Sequence, residues 1–218
     1  MFLGHFGVAL AAKKVAPKCS LGTLILAAQL ADLLWPIFLL LGWEQVRIVP
    51  GNTRVTPLEF TSYPYSHSLV AQILWGLAIG IVYFAFRRNA RSAVVVALIV
   101  PSHWVLDFVA HGQDMPIVLF GARYGLGIWN SLPLTLIVEL ALYGVGIALY
   151  LSTTRAKDRT GQYALWSLLI FLFVSYAGSV LGPPPPSVRV LAMTALAIWI
   201  TVPWAAWADR HRSVACDP

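Results

Sequence analysis

Six stretches of this chain are each apolar for about twenty residues, the length a helix needs to cross the hydrocarbon of a bilayer. They cover approximately residues 21–43, 67–86, 92–111, 132–152, 163–182 and 188–208. A soluble domain of 218 residues has no use for a sequence that is 59% apolar and only 11% charged, with a mean hydropathy of +0.75. The connections between the stretches are short. The expectation is therefore an all-α, polytopic membrane bundle of six transmembrane helices, forming a single integral membrane domain over residues 1–218.

The distribution of charge supports the same count independently. Lys13, Lys14 and Lys18 precede the first span, and Arg87, Arg88 and Arg91 lie between the second and third. Arg155, Lys157 and Arg159 lie between the fourth and fifth, and Arg210 and Arg212 follow the sixth. With six spans these eleven of the fifteen basic residues fall on one side, leaving Arg47, Arg54, Arg123 and Arg189 on the other. The positive-inside rule then places both termini in the cytoplasm. It also accounts for the net charge of +6 without invoking nucleic acid.

The first dozen residues, M-F-L-G-H-F-G-V-A-L-A-A, are apolar but too short to span. Their charges follow the apolar run, the reverse of a signal peptide. A short, half-inserted N-terminal helix packed against the bundle is the expected form. Cys19 and Cys216 are far apart in sequence, and no disulfide is expected between them. Pro183–Pro186 reads as a stiff spacer.

Ionisable residues inside such spans are costly and point to function. In the third span His103, Asp107 and His111 recur every four residues, which stacks them on one helix face about 6 Å apart. Counting about 1.5 Å of rise per residue from the basic ends, His5, Asp32 and His103 lie roughly 12, 16 and 18 Å deep. On that scale Asp107 and Glu139 fall at about 24 Å, and His67 and His111 at about 30 Å. The polar column runs from mid-membrane to the outer interface, with nothing in the basic half of spans two to six. That pattern predicts a cavity opening outward.

His103 with Asp107 suits a metal, since i,i+4 spacing lets both reach one cation. The plainer alternative is a hydrogen bond that neutralises a buried acid. Asp32, in A-A-Q-L-A-D-L-L-W-P, has no basic neighbour in its own helical turn and needs a partner from elsewhere. His67 opens a helix in Y-S-H-S, where Ser66 is placed to cap. Glycines flank His5 in G-H-F-G and admit a close backbone. Glu139 is placed to pair with Arg123 or with an outer histidine. Pro101, just before His103, frees a carbonyl one turn earlier.

The order G-H (His5), L-A-D (Asp32), Y-S-H-S (His67) and S-H-W-V-L-D (His103, Asp107) resembles the YdjM-like family of bacterial inner-membrane metal-dependent hydrolases. That family has an early His, a P-D-x-D-like element, a T-H-S and an S-H-x-x-x-D, and the resemblance covers roughly residues 1–115. It implies His5, Asp32, His67, His103 and Asp107 as the shared polar set. The chain departs from the pattern at the acidic element, where Ala31 replaces the Pro and no second acid follows Asp32. This speaks against a two-metal site.

The first function to follow is a membrane-embedded hydrolase of a lipid-linked or amphiphilic ester of the phosphoester kind, using Zn²⁺ or Mn²⁺. Asp32, His67, His103 and Asp107 would be ligands, and His5 ligand or general base. Glu139 or His111 would orient groups or shuttle protons, and Arg123 would hold a substrate phosphate. The partner would be a membrane lipid or lipid-linked small molecule. The alternative is a divalent-cation or proton-coupled transporter using the same residues, and the third is a structural protein locked by polar contacts. Neither H-E-x-x-H nor G-x-S-x-G occurs, which sets aside intramembrane metalloproteases and serine hydrolases of those types.

Overall fold

Ser20, Ser68, Asn89, Asp158 and Ser187 each accept a free backbone N–H at the start of a helix, and these caps divide the apolar runs more finely than hydropathy does. The computed structural model describes residues 1–215. In chain order it holds α1 (Leu3–Val15), α2 (Leu21–Ala28), α3 (Leu30–Leu40), strands β1 (Gln45–Ile48) and β2 (Leu58–Ser62), α4 (Pro64–His67), α5 (Leu69–Arg87) and α6 (Ala90–Ala110). Then come β3 (Met115–Pro116), β4 (Arg123–Tyr124), α7 (Leu132–Thr153), β5 (Thr154–Ala156), α8 (Arg159–Leu181), α9 (Val188–Ala195), α10 (Thr201–Arg210) and β6 (Arg212–Val214). The architecture is all-α, as expected. The strands form three small antiparallel two-stranded ribbons at the bundle ends.

Five helices are long and apolar enough to cross a membrane: α5, α6, α7, α8 and the continuous run Val188–Arg210. Helices α2 and α3 make a sixth crossing only as a pair, bent by 55°. The first expected span is therefore not one straight helix. It breaks at Gln29, and it ends at Leu40 before residue 43 because the chain turns into β1. The second span also starts later than its hydropathy implies. Ser68, and not Ser66, caps α5 by accepting from the Ala71 N–H at 3.2 Å, which leaves His67 on the separate turn α4.

Helix α1 is 13 residues long, about 20 Å at helical rise, and it sits inside the bundle against α2, α6, α7 and α8. Two glycines make that possible. A Cβ on Gly7 would fall 2.4 Å from the Leu142 carbonyl oxygen, and one on Gly146 would fall 2.3 Å from the Gly7 carbonyl oxygen. Small residues at such crossings let backbones touch, which is the main source of helix adhesion where lipid replaces water. Helices α5 and α6 meet in the same way. Pro101 cannot donate to Ala97, and the freed Ala97 oxygen lies where a Gly76 Cβ would approach to 2.4 Å.

The basic connections gather at one end of the bundle. Lys13 Nζ of α1 donates to Asp209 Oδ2 at 2.7 Å and to the Cys19 carbonyl at 2.8 Å. The Tyr150 hydroxyl and the Leu21 N–H also donate to Asp209. Arg212 of β6 reaches Thr154 and the Gly161 carbonyl, and His211 meets Asp158 at the start of α8. This Lys13–Asp209 pair lies just outside the expected spans and joins α1 to the end of α10. Cys19 is buried and free, while Cys216 lies outside the described residues.

Candidate metal centre

At the other end of α1 the interruptions in the helices bring the polar residues together. His5 lies in the first turn of α1, Asp32 just past the Gln29 break, and His67 at the last position of α4. His103 and Asp107 face them from the C-terminal half of α6. His5, His103 and Asp107 each offer a ligand atom within 4.8 Å of the other two, and so do Asp32, His67 and His103. His103 belongs to both groups. The five residues implied by the family resemblance thus converge on one place from four segments of chain.

The individual distances define the cluster. Asp107 Oδ1 is 3.1 Å from His5 Nε2, and Oδ2 is 3.1 Å from His103 Nε2. Asp32 Oδ1 is 3.5 Å from His67 Nε2 and 3.8 Å from His103 Nε2. The His5 and His103 rings stack, with centroids 3.6 Å apart and planes within 4°. The Met1 amine also contacts Asp107 Oδ1.

The surroundings prepare these rings as ligands. When α2 ends, the Ala28 carbonyl has no helical partner, and it lies 2.8 Å from His103 Nδ1. A carbonyl can only accept, so Nδ1 carries the proton and the Nε2 lone pair points into the cluster. His67 Nδ1 lies 2.7 Å from Ser66 Oγ, and that hydroxyl donates to Glu44 Oε2 at 2.6 Å. The Ser66 hydrogen is committed to the carboxylate, so His67 Nδ1 is the donor and its Nε2 is left free as well. Glu44 also accepts from the Tyr65 and Ser66 N–H groups, although burial pushes its carboxyl pKa up.

The donor set fits a divalent cation. His103 Nε2 and His5 Nδ1 are buried without a hydrogen-bond partner, an expensive condition for ring nitrogens. Two carboxylates sit beside three imidazoles in an apolar interior, which is unfavourable unless positive charge offsets them. Mixed nitrogen and carboxylate donors suit Zn²⁺ or Mn²⁺.

Access is uneven. The side chain of Asp107 is 3% exposed and that of His103 1%, but that of Asp32 is 26% exposed. Asp32 faces a cavity of about 500 Å³ whose walls include Trp35, Phe60, Trp129, Phe171 and Ile198. The cluster therefore opens onto an apolar chamber through a single carboxylate.

The remaining sequence candidates lie around this centre. Glu139 does not pair with Arg123 or a histidine. It accepts from the Phe2 N–H at 2.9 Å and the Gly4 N–H at 2.8 Å, holding the start of α1 while lining the same cavity. His111 ends α6 and is buried under Trp129 and Phe60. Its Nε2 is 3.9 Å from Asp107 Oδ2, and its Nδ1 is 3.2 Å from Asp114 Oδ1 and 3.4 Å from the Tyr63 hydroxyl. Burial pushes the Tyr63 pKa well up, so it stays a phenol. Arg123 lies apart, donating to the carbonyls of Phe60 and Thr61 beside a second, polar cavity.

Sequence reasoning did not find Glu44 or the second role of Ser66. Glu44 follows an apolar run at an interface, a position where acids are ordinary, and its contact to Ser66 forms only when the β1–β2 ribbon folds back. Comparison with family models, with curated proteins and with solved structures gives no match.

Proposed function

We propose that this chain is a metal-dependent hydrolase of the YdjM-like kind, acting on a lipid-linked or amphiphilic ester of the phosphoester class in the bacterial inner membrane. The observation that carries the proposal is the cluster of three histidines and two aspartates whose one exposed member, Asp32, forms part of the wall of an apolar cavity. The positive-inside rule puts the Lys13–Asp209 end in the cytoplasm and the cluster toward the opposite face. Met1, whose amine contacts Asp107, sits at the cluster end of α1, so the expectation of two cytoplasmic termini is kept for the C-terminal end alone.

His67, His103, Asp32 and Asp107 would hold the cation, Zn²⁺ or Mn²⁺. When bound, such an ion supplies Lewis acidity to an ester oxygen and acidity to water. The protein's own residues do the rest. The Ala28 carbonyl and the Ser66–Glu44 pair keep two ring lone pairs aimed inward. His5 Nδ1, buried and without a partner, is the atom at which a proton is held. Glu139 anchors the turn of α1 that carries His5. The aromatic and aliphatic cavity wall takes the substrate's apolar chain and keeps bulk water off the cluster. His111, joined to Asp114, links the site to the outer polar cavity, where Arg123 faces the substrate's head.

Metal analysis of the purified protein beside the His103→Ala/Asp107→Ala double variant tests the centre. Near-stoichiometric metal in the first and loss in the second is expected, and equal, negligible metal in both would sink the reading. Release of phosphate or headgroup from lipid phosphoesters separates hydrolase from transporter, which metal flux into proteoliposomes would reveal instead. The buried Lys13–Asp209–Tyr150 contacts close the bundle beneath α1 and disfavour a through-path.

A further inference from the structure

A third cavity, of about 250 Å³, lies at the basic end between the α1–α2 and α5–α6 connections, lined by Lys18, Tyr83, Phe86, Arg87 and Asn89. Nothing in the proposed hydrolase uses it. Its polar chemistry has one sign. Lys18 and Arg87 offer only donors, and among the described residues neither has a carboxylate within salt-bridge distance. Asn89 Oδ1 is already taken as the cap of α6, accepting from the Ser92 N–H at 2.9 Å, so its free group is the donating amide nitrogen. Tyr83 adds a hydroxyl.

The backbone here is also unusual. Arg88 is the one non-glycine residue with positive φ among the described residues, at +50°. That left-handed turn closes α5 at Arg87 and starts α6 two residues later at Ala90, holding Arg87 and Asn89 on the rim of one cavity. A side chain in this region is held at some cost, and such residues persist where the surroundings require them.

Beside the cavity the surface turns apolar. Phe86 is 82% exposed, and Val82, Val94 and Leu98 continue an exposed apolar surface on α5 and α6. A cavity lined by donors at a helix end, next to an exposed apolar face, matches a phosphate head with an acyl chain beneath it. We propose that this cavity binds an anionic phospholipid, its phosphate held by Lys18, Arg87, Asn89 and Tyr83 and its chain lying along α5 and α6. The site is separate from the metal cluster and does not depend on the hydrolase reading.

The test is native mass spectrometry of the full chain, equilibrated with equal amounts of phosphatidylglycerol and phosphatidylcholine of the same acyl chains. At about 1 kcal/mol for each basic residue near the surface, two cations give roughly a 30-fold preference for the anionic lipid. Lys18→Ala/Arg87→Ala should abolish it. Lys18→Arg/Arg87→Lys should keep it, as should Arg155→Ala/Arg159→Ala, which removes equal charge elsewhere at the same end. Equal retention of both lipids by the wild type would overturn the proposal, as would loss of the preference in the Arg155/Arg159 variant. Displacement of phosphatidylglycerol by millimolar inorganic phosphate would assign the cavity to a free anion and overturn the lipid assignment.

Discussion

Ser66→Ala isolates the support behind the candidate metal centre. The hydroxyl is fully buried, 2.6 Å from Glu44 Oε2 and 2.7 Å from His67 Nδ1, and alanine removes both contacts without touching a ligand atom. Glu44 keeps the Tyr65 and Ser66 N–H groups, so the ribbon it anchors should survive. His67 loses the acceptor that holds its Nδ1 proton, and the imidazole becomes free to rotate or to place its proton on Nε2. Loss of such a supporting partner typically weakens metal affinity by about 10- to 100-fold, or about 1.4 to 2.8 kcal/mol. Competition against a chromophoric zinc chelator measures this directly, with metal-free thermal melting as a check on the fold. Ser66→Thr retains a hydroxyl and should stay near the wild type. The reasoning fails if Ser66→Ala holds zinc as tightly as the wild type while His67→Ala weakens it, because His67 would then be a ligand that needs no orientation.

Three further perturbations probe the frame. Gly146→Ala puts a methyl 2.3 Å from the Gly7 carbonyl and should cost about 1 to 3 kcal/mol by separating α1 from α7. Thermal melting should fall, and metal affinity should fall with it because α1 carries His5. Lys13→Met strands the buried Asp209 carboxylate and should cost about 3 to 5 kcal/mol, with much of the loss recovered in Lys13→Met/Asp209→Asn; an unchanged melting temperature in the single variant would show that the pair is solvated. At the start of α8, the hydrogen bond from His211 holds the Asp158 pKa down, and Asp158 accepts from the Gly161 N–H at 2.8 Å. Because the folded value is depressed, the stabilisation is complete above the ordinary carboxylate value of about 3.9 and is lost as pH falls through the lower folded value. Hydrogen exchange at Gly161 should quicken over that acid range in the wild type but not in Asp158→Asn.

What could be read in the sequence was whatever lay within one helix or followed from the membrane as solvent. The long apolar runs had one physical outcome, and the His103–Asp107 spacing put two donors on one face before any tertiary contact was known. The Gly7 approach was legible too, because a glycine beside His5 has few other uses. The breaks were harder. Gln29 interrupts a run whose hydropathy does not change, and its bend reflects the packing of α2 on α10 and of α3 on α9, neighbours about 150 residues away or more. Ser66 and Ser68 are equally good caps in isolation, and only the Glu44 carboxylate, arriving through the β1–β2 ribbon, decides that Ser66 is otherwise engaged. Glu139 was visible as a buried acid, yet its partners are backbone N–H groups of α1, which no side-chain pattern reveals.

The same breaks explain why the cluster and the fold cannot be separated. Three of the five donors sit at chain interruptions: His5 in the first turn of α1, Asp32 after the Gln29 bend and His67 before the Ser68 cap. Each interruption leaves backbone groups that a continuous helix would have satisfied, and the cluster recruits one of them, the Ala28 carbonyl, to set the His103 proton. A cation held by Asp32, His67, His103 and Asp107 would tie α3, α4 and α6 together at their least regular points, with α1 joined to them through His5 on Asp107. Ligand bound only to the folded state adds about 2.7 kcal/mol when present at 100 times its dissociation constant. In a bundle whose α1 is held by glycine contacts, by Glu139 and by the Lys13–Asp209 pair, that contribution is of the same order as the single contacts described above. Metal occupancy should therefore govern the position of α1, and with it whether His5 faces the cavity that Asp32 opens onto.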